Sequence, residues 1–414
     1  MNNSYLSYKD LENQNISNKI RRTALFILMF ITLVQQMPII KDVMYTELRL
    51  ILYLGFALLT LASLFPISKY INYSLSKLFI LSISYTFLLY IVILLFSDKT
   101  TNISVFELLI PFGIFLCSLR TDFTRKQLSL LLISYIALST ILGVSLIFYY
   151  GEGFEIMSSY FVTGKNQVGP IIGIAIVITL VWIFNKKNFL MKFPTVINII
   201  FLVLLISSIA VIRNRSTLVG VLLILLMLLI PTVLKFKPTY KNIVLLQIGL
   251  IILAIAIVAG GFNSISLVIW EAITSNYQVT DLNSLSAGRT SVYLESLLFS
   301  FQNPLLGELS AGQTIHEVPH NYILNKWVNF GVIGSLPIVM LYLYLWFFVI
   351  RNFIKRNKNN NTFTLPVWVL LFSLIVSLFE YTYPFGPGSS QLMLWLLMGQ
   401  YFKHNISPLT QRQL

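Results

Sequence analysis

Charged residues are scarce in this sequence. Only 11% of its 414 residues are charged, whereas 57% are hydrophobic, and the mean hydropathy is +0.80. A soluble globular domain has about 25% charged residues, so this composition excludes a soluble globule of such length. In lipid the backbone must satisfy its own hydrogen bonds, and long apolar segments do so as helices. The composition therefore predicts an all-α, polytopic integral membrane protein.

Cysteine and histidine are scarce as well. Cys117 is the single cysteine, which excludes an intrachain disulfide. Two of the three histidines lie in HEVPH at positions 316–320, which matches the helical zinc motif H-E-x-x-H. Pro319 opposes that interpretation, because an interior proline removes a helical hydrogen bond and crowds the preceding turn. Proline favours the first helical position, so we expect a helix to begin at Pro319, with His320 in its first turn and no metal site.

Long apolar segments divide the chain into twelve predicted membrane spans, since about 20 apolar residues cross the hydrocarbon core. Their arrangement follows the positive-inside rule. With a cytoplasmic N-terminus, all but eight of the 29 basic residues fall on the cytoplasmic side, and both termini are predicted to be cytoplasmic. The predicted spans are residues 23–40, 48–66, 77–96, 104–119, 128–149, 167–184, 195–212, 217–234, 242–260, 328–350, 364–380 and 388–403.

The eight remaining basic residues lie on the predicted outer side. Positive charge placed against the topological bias indicates an anionic partner, such as a lipid pyrophosphate at the outer leaflet. Ordinary contact with lipid headgroups is the alternative for each residue, and no aromatic-interleaved basic patch indicates nucleic acid. The eight are Lys41, Arg49, Lys99, Lys165, Arg213, Arg215, Arg289 and Lys326.

The longest polar interval, residues 261–327, is predicted to be one large extracytoplasmic loop, or lid, within a single transmembrane domain of residues 1–414. Within this loop, Thr290 to Gln302 carries apolar residues at helical spacing. Asn303-Pro304 then ends the pattern. We expect an amphipathic helix that lies on the membrane or caps a cavity.

Three motifs follow one another between residues 164 and 334. Together they resemble the O-antigen ligase and O-antigen (capsular) polysaccharide polymerase superfamily, in which two arginines precede a histidine motif. The motifs are Arg213-Asn214-Arg215-Ser216; Ser286-Ala287-Gly288-Arg289 with Asn303-Pro304-Leu305-Leu306-Gly307; and His320-Asn321, then nine intervening residues, then Gly331-x-x-Gly334.

The resemblance implies a membrane glycosyltransferase in the bacterial cytoplasmic (inner) membrane, with its active site on the extracytoplasmic side and no cofactor. Its donor would be an undecaprenyl-pyrophosphate-linked oligosaccharide. The acceptor would be another lipid-linked repeat unit, as in polysaccharide polymerases, or lipid A core, as in O-antigen ligases. We favour the polymerase. A flippase and a chain-length regulator are the expected protein partners.

The predicted site residues divide by chemistry. His320 is the expected base for the acceptor hydroxyl, because a neutral imidazole can take a proton near pH 7. Arg215 and Arg289 are expected to hold the pyrophosphate, because guanidinium groups bind phosphate oxygens bidentately. Arg213 points away from Arg215 on a helix. It is a further substrate-binding candidate with Lys165, Asn321 and Lys326, while Glu308, Glu317 and Glu380 remain open as carboxylates that orient or replace His320.

Two functions of other classes also fit a chain with many apolar segments. A transporter or flippase for lipid-linked sugars would need buried basic residues, but transporters commonly have two similar halves and the halves of this sequence differ. A metalloprotease would need the H-E-x-x-H helix that Pro319 opposes.

Overall fold

The computed structural model describes residues 8–64, 74–96, 106–150, 159–184, 195–212, 214–234, 289–309, 318–359, 365–386 and 391–406. The regular structure in these ranges is helical throughout, which confirms the predicted all-α class for this part of the chain. The predicted ninth span, 242–260, and residues 261–288 of the loop lie outside the described ranges. The helices are α1 (Tyr8–Val34), α2 (Pro38–Leu64), α3 (Ser74–Phe96), α4 (Phe106–Arg120), α5 (Arg125–Tyr150), α6 (Ser159–Phe184), α7 (Thr195–Ile212), α8 (Arg215–Leu234), α9 (Arg289–Gln302), α10 (Tyr322–Asn359), α11 (Leu365–Val376) and α12 (Leu392–Ile406).

Among the described residues, four helices contain stretches long and apolar enough to cross a membrane. These stretches are Pro38–Ser63 in α2, Arg125–Tyr149 in α5, Asn166–Phe184 in α6 and Tyr322–Ile354 in α10. Shorter apolar stretches lie in α3, α7, α8 and α11. These helices support a membrane protein, and the total of twelve spans stays a prediction.

The core of the molecule lies around α6 and α4. Helix α6 packs against α5, α7, α8 and α11, while α4 packs against α2 and α12. Aromatic rings fill the part of the core around α4. Phe79 of α3 contacts Trp395 of α12 with ring centroids 5.0 Å apart, and it contacts Phe112 of α4 with ring centroids 5.4 Å apart. Edge-to-face and offset contacts of this kind stabilise aromatic clusters beyond the area they bury.

Helix α10 is interrupted at Gly331, where the backbone has φ +63°. The interruption leaves the amide groups of the next two residues without helical acceptors, and the turn after α9 satisfies both of them. Val332 N–H donates to the carbonyl of Pro304 at 2.8 Å, and Ile333 N–H donates to that of Leu305 at 3.1 Å. A Cβ at Gly331 would lie 2.3 Å from the Leu305 carbonyl, so only glycine fits there.

Gly307, in the turn after α9, lies equally close to the backbone of α10. It also has a positive φ, +59°, and a Cβ there would lie 2.2 Å from the carbonyl oxygen of Val328 in α10. The glycines of the motifs at 303–307 and 331–334 therefore meet each other, and they fix the end of α9 against α10.

Candidate functional site

The N-terminus of α10 is set by Asn321. Its side-chain oxygen accepts the amide hydrogen of Leu324 at 3.0 Å, which is a helix N-cap. The helix therefore begins at Tyr322, and the expected start at Pro319 is wrong by three residues. The Asn321 side chain caps the helix three residues after the position at which proline was expected to begin it. His320 precedes the cap instead of lying in the first turn.

The same N-terminus is fastened to the end of α11. Asn321 Nδ2 donates to the carbonyl of Leu378 at 3.2 Å, and Tyr322 N–H donates to that of Ser377 at 3.1 Å. These bonds hold the residue before the cap, His320, beside the turn that follows α11. Asn321, expected to bind substrate, thus has a structural role as the cap of α10.

Glu380 lies in that turn, and its carboxylate is the centre of the site. The side chain is 3% exposed, and Oε2 lies 3.8 Å from His320 Nδ1. This separation is longer than a hydrogen bond, and Nδ1 is buried without a hydrogen-bond partner among the described residues. The His320 side chain as a whole is 34% exposed, so its exposed atoms are ones other than Nδ1.

Arg289 approaches the same carboxylate from α9. Its Nη2 lies 3.5 Å from Glu380 Oε1, and its Nη1 donates to the carbonyl of Phe379 at 3.0 Å. The side chain is 28% exposed, so the guanidinium has donors directed at Glu380 and a face that a ligand can reach. His320 and Arg289, predicted as separate site residues, are thus brought to opposite oxygens of one buried carboxylate.

The N-terminus of α8 completes the cluster through Ser216. Its hydroxyl lies 3.3 Å from Glu380 Oε1 and 2.9 Å from Asn214 Oδ1. Asn214 caps α8 by accepting the amide hydrogen of Thr217 at 2.9 Å. Arg215, the first residue of α8, immediately precedes Ser216 in the chain, and its side chain is partly buried.

The remaining predicted site residues lie elsewhere or outside the described side chains. Lys326 is buried and pairs with Glu107 Oε2 of α4 at 2.5 Å, with its ammonium 5.3 Å from the Tyr322 ring centroid. Arg213 lies outside the described residues. The backbone of Lys165 belongs to α6, but its side chain is not among those described.

Two tyrosines border the cluster, and both have raised pKa values. Burial raises the pKa of Tyr381, and the Glu380 and Glu107 carboxylates raise it further. The Tyr381 ring lies 6.0 Å from that of His320. Burial also raises the pKa of Tyr293 on α9, where Arg289 opposes and Glu380 reinforces the shift. Both phenols therefore keep their protons at neutral pH and can donate hydrogen bonds.

Glu380 and Glu107 are the two residues that the motifs did not select. The sequence left Glu380 open beside Glu308 and Glu317, and the structure places Glu380 against His320 and Arg289. Glu308 lies in the turn Gly307–Leu309, and Glu317 is outside the described residues. The available signal was a carboxylate within an apolar region, which is rare in membrane segments unless it is paired or functional.

The helical zinc geometry of H-E-x-x-H is absent from the described part of that motif. Residues 318–321 are not helical, so His320 lies on an irregular segment before α10. Across the described ranges, no group of three or more histidine, cysteine, aspartate or glutamate side chains is placed to hold a metal ion. His316 and Glu317 lie outside those ranges.

Comparison of the chain with protein-family models and with curated proteins finds no match. The function is therefore inferred from the cluster around Glu380 and from the motifs at Arg215, Arg289 and His320.

Proposed function

We propose that this chain is a membrane glycosyltransferase that polymerises undecaprenyl-pyrophosphate-linked oligosaccharide repeat units. The observation that carries the proposal is the buried Glu380 carboxylate, which lies within 4 Å of both His320 and Arg289. A transfer from a lipid pyrophosphate needs a base for the acceptor hydroxyl and fixed positive charge for the leaving phosphates. The cluster offers one candidate for each requirement, from segments distant in the sequence.

In the proposed reaction, the acceptor hydroxyl oxygen attacks the anomeric carbon of the donor sugar. A carbon–oxygen bond forms there as the bond to the pyrophosphate oxygen breaks. The hydroxyl proton passes to the His320 ring nitrogen that faces away from Glu380. Glu380, on the Nδ1 side, stabilises the imidazolium that results, which is the role of the carboxylate in histidine-based triads. Lipid pyrophosphate leaves with both electrons of the broken bond.

Positive charge for the leaving group comes from side chains and from helix ends. Arg289 lies in the cluster, and Arg215 begins α8 beside Ser216. The N-terminal residues of α8, α9 and α10 all contact the turn at Leu378 to Glu380. Each helix N-terminus carries a partial positive charge of about 0.5, which favours an anion nearby. This convergence supports a pyrophosphate site at the cluster.

Charge balance suggests an order of events. Without donor, Glu380 and Arg289 neutralise each other within the cluster. A pyrophosphate competes with Glu380 for Arg289, since it offers more charge and more acceptor oxygens. Once Arg289 turns toward the phosphates, the negative charge of Glu380 acts mainly on His320. Donor binding would thereby leave the Glu380 carboxylate free to stabilise the imidazolium when it forms.

The test uses purified chain in nanodiscs with undecaprenyl-pyrophosphate-linked repeat unit. We expect a ladder of longer lipid-linked glycans, and we expect His320→Ala to bind donor yet lose about a hundredfold to ten-thousandfold in turnover. Lipid A core offered as acceptor separates ligation from polymerisation. Movement of the donor across the bilayer without any new glycosidic bond would contradict the transferase and favour a flippase.

A further inference from the structure

Two basic residues of the predicted outer side lie together on α2, apart from the Glu380 cluster. Lys41 and Arg49 both approach the ring of Tyr45: Lys41 Nζ lies 5.4 Å from its centroid, and Arg49 Cζ lies 6.0 Å from it. Arg49 Cζ also lies 5.3 Å from the centroid of the Tyr53 ring. Cations and tyrosines thus alternate along α2 in the order Lys41, Tyr45, Arg49 and Tyr53, and these four residues are called the α2 row.

The two tyrosines of the α2 row fix the guanidinium group of Arg49. Nε donates a hydrogen bond to the Tyr53 hydroxyl at 3.0 Å, and cation–π attraction to both rings restrains the group further. The Arg49 side chain is nevertheless exposed, so a ligand can reach it. Within the described ranges, no salt bridge joins Arg49 to a carboxylate. The row therefore presents a positioned guanidinium whose charge is not paired.

The two acidic residues of α2 do not supply the missing carboxylate. Asp42 is adjacent to Lys41 in the sequence and accepts a hydrogen bond from the Tyr149 hydroxyl of α5 at 3.0 Å. Glu47 is two residues from Arg49, and side chains two positions apart on a helix point to nearly opposite sides. The positive charge that needs an external anion is therefore the one at Arg49.

An exposed apolar stripe continues from the α2 row toward the C-terminal end of α2. Leu50, Leu54, Leu58 and Leu61 are spaced four, four and three residues apart, which places them on one side of the helix, and all four are exposed. No charged residue follows Arg49 in α2. Residues 50–64 extend about 22 Å at a rise of 1.5 Å per residue, which fills most of a hydrocarbon core about 30 Å thick. In a bilayer the stripe lies at the depth of the acyl chains, and Arg49 lies at the edge of the headgroups.

A phospholipid matches both parts of this surface. Its phosphate oxygens accept hydrogen bonds from a guanidinium fork, and its acyl chains cover exposed leucines. An acidic glycan would use the cations but would leave the leucine stripe unused. A guanidinium at the edge of the hydrocarbon is costly unless an anion meets it, so the charge of Arg49 favours a lipid with a net negative headgroup.

We infer that the α2 row is a binding site for an anionic phospholipid. The Nη groups of Arg49 hold the phosphate oxygens, Lys41 adds a second positive charge, and an acyl chain lies along the leucine stripe. General attraction of basic residues to anionic headgroups needs only charge, whereas this site also needs the planar geometry of the guanidinium. Binding of the lipid does not depend on glycosyl transfer.

The first test counts bound lipids by native mass spectrometry of the full chain in detergent, titrated with phosphatidylglycerol or phosphatidylcholine. We expect the native chain to bind phosphatidylglycerol more tightly. Arg49→Lys should weaken one phosphatidylglycerol site about tenfold although the charge is kept. Arg125→Lys, at an exposed arginine that begins α5, is the matched control and should bind like the native chain. Binding by Arg49→Lys that equals that of the control would overturn the inference.

The second test uses the melting temperature, because a lipid that binds the folded chain raises it. Phosphatidylglycerol should raise the melting temperature of the native chain and of Arg125→Lys more than that of Arg49→Lys. Tyr53→Phe, which lacks the hydroxyl that holds Arg49 Nε, should behave like Arg49→Lys. Inorganic phosphate should have little effect, since it has no acyl chain.

Two further outcomes of the second test would contradict a lipid site. A shift with inorganic phosphate as large as that with phosphatidylglycerol would mean that the α2 row binds anions without their acyl chains. A shift with polygalacturonate and none with phosphatidylglycerol would replace the lipid by an acidic glycan. Neither test measures turnover, so failure of the lipid site and failure of the proposed glycosyl transfer are distinguishable.

Discussion

At the scale of single residues, Glu380 shows how a membrane protein keeps a carboxylate out of water. A buried carboxylate is tolerated when it is paired and hydrogen-bonded. Glu380 has the Arg289 guanidinium at 3.5 Å, the Ser216 hydroxyl at 3.3 Å and the His320 ring at 3.8 Å. Burial raises the pKa of the neighbouring Tyr381 phenol, and the negative charges of Glu380 and Glu107, which disfavour a phenolate, raise it further. Glu380 therefore contributes to the electrostatics of the phenol as well as of His320 and Arg289.

Glu380→Gln should separate catalysis from donor binding. The amide keeps the shape of the side chain but cannot stabilise an imidazolium, so we expect turnover to fall at least about a hundredfold. Donor affinity should be kept or improved, since Arg289 no longer shares its charge with a carboxylate. Turnover and donor binding are measured on the same nanodiscs. Glu308→Gln, in the turn Gly307–Leu309, is the matched control and should retain both. Equal losses in the two variants would contradict the role given to Glu380.

Arg289→Lys should act on donor binding. Lysine keeps the charge, but an ammonium cannot bond to Glu380 and to the Phe379 carbonyl with the geometry of a guanidinium fork. We expect the affinity for undecaprenyl pyrophosphate to fall about tenfold or more, measured by equilibrium binding to nanodiscs. Lys326→Arg, at the buried pair with Glu107, serves as the comparison. Normal donor binding by Arg289→Lys would contradict the assignment of Arg289 to the pyrophosphate and favour Arg215 as the residue that binds it.

At the scale of secondary structure elements, the contact between Gly307 and Gly331 fixes α9 and α10 relative to each other. Each glycine has a positive φ, and each would place a Cβ within 2.3 Å of backbone atoms of the other segment. Side chains cannot move backbone atoms aside at low cost. The contact thus holds Arg289 and His320, at the starts of these two helices, at a set distance from Glu380.

Gly331→Ala should lower the stability by about 2–4 kcal/mol through backbone strain and the clash with Leu305. Gly55→Ala is the control, because a Cβ there meets only the tip of the flexible Leu28 side chain. Thermal unfolding in detergent compares the two variants. A melting temperature for Gly331→Ala that equals that of Gly55→Ala would mean that the contact between the two segments is not formed.

Sequence reasoning succeeded where the signal is local. Apolar periodicity predicted α9 as a helix, and the described helices match an all-α chain. His320 and Arg289, which motifs selected, lie beside one carboxylate, and their roles in the site stay predictions. The start of α10 was misplaced because Pro319 is also a typical helix-start residue. The hydrogen bond that makes Asn321 the cap, from Leu324 N–H, is known only from the structure.

Long-range pairing was not predictable in the same way. The partners of Glu380 lie on α8, α9 and the segment before α10, and nothing in the spacing of these residues ties them to one acid. The pair of Lys326 with Glu107 joins α10 to α4 across more than 200 positions. The buried face of α9, which carries Ser296 and Ser300, was likewise undecided, because periodicity gives the two faces of a helix but not which of them packs inward.

At the scale of the whole molecule, Asp122 in the turn between α4 and α5 joins both ends of the chain. Its carboxylate accepts a hydrogen bond from Asn18 of α1 at 2.8 Å and pairs with Lys403 of α12. Burial alone would raise the pKa of Asp122, but the Lys403 hydrogen bond and charge, together with Asn18, outweigh it and lower the pKa below its ordinary value. The first and last of the described helices are thus attached to the same turn.

This lowered pKa predicts a pH-dependent stabilisation. A carboxylate whose pKa is lower in the folded than in the unfolded state stabilises the fold above the unfolded value, near 3.8, and loses that contribution as pH falls through the folded value. Asp122→Asn should therefore melt slightly lower than the native chain at neutral pH, by about 1 kcal/mol or less for so exposed a pair. The difference should vanish as pH falls through the folded value of the Asp122 pKa. A difference that is constant with pH would contradict the ion pair.

The contacts of Asp122 with Asn18 and Lys403 also bear on whether the number of membrane crossings is odd or even. Side chains that touch must lie on the same side of a bilayer, and a chain returns to its starting side only after an even number of crossings. Asn18 precedes the apolar part of α1, and Lys403 lies in the last described helix. For a chain that spans a membrane, we therefore predict an even number of crossings between Asn18 and Lys403, and another even number between Asn18 and Asp122. The twelve spans predicted from the sequence, four before Asp122 and eight after it, agree with both expectations and stay a prediction.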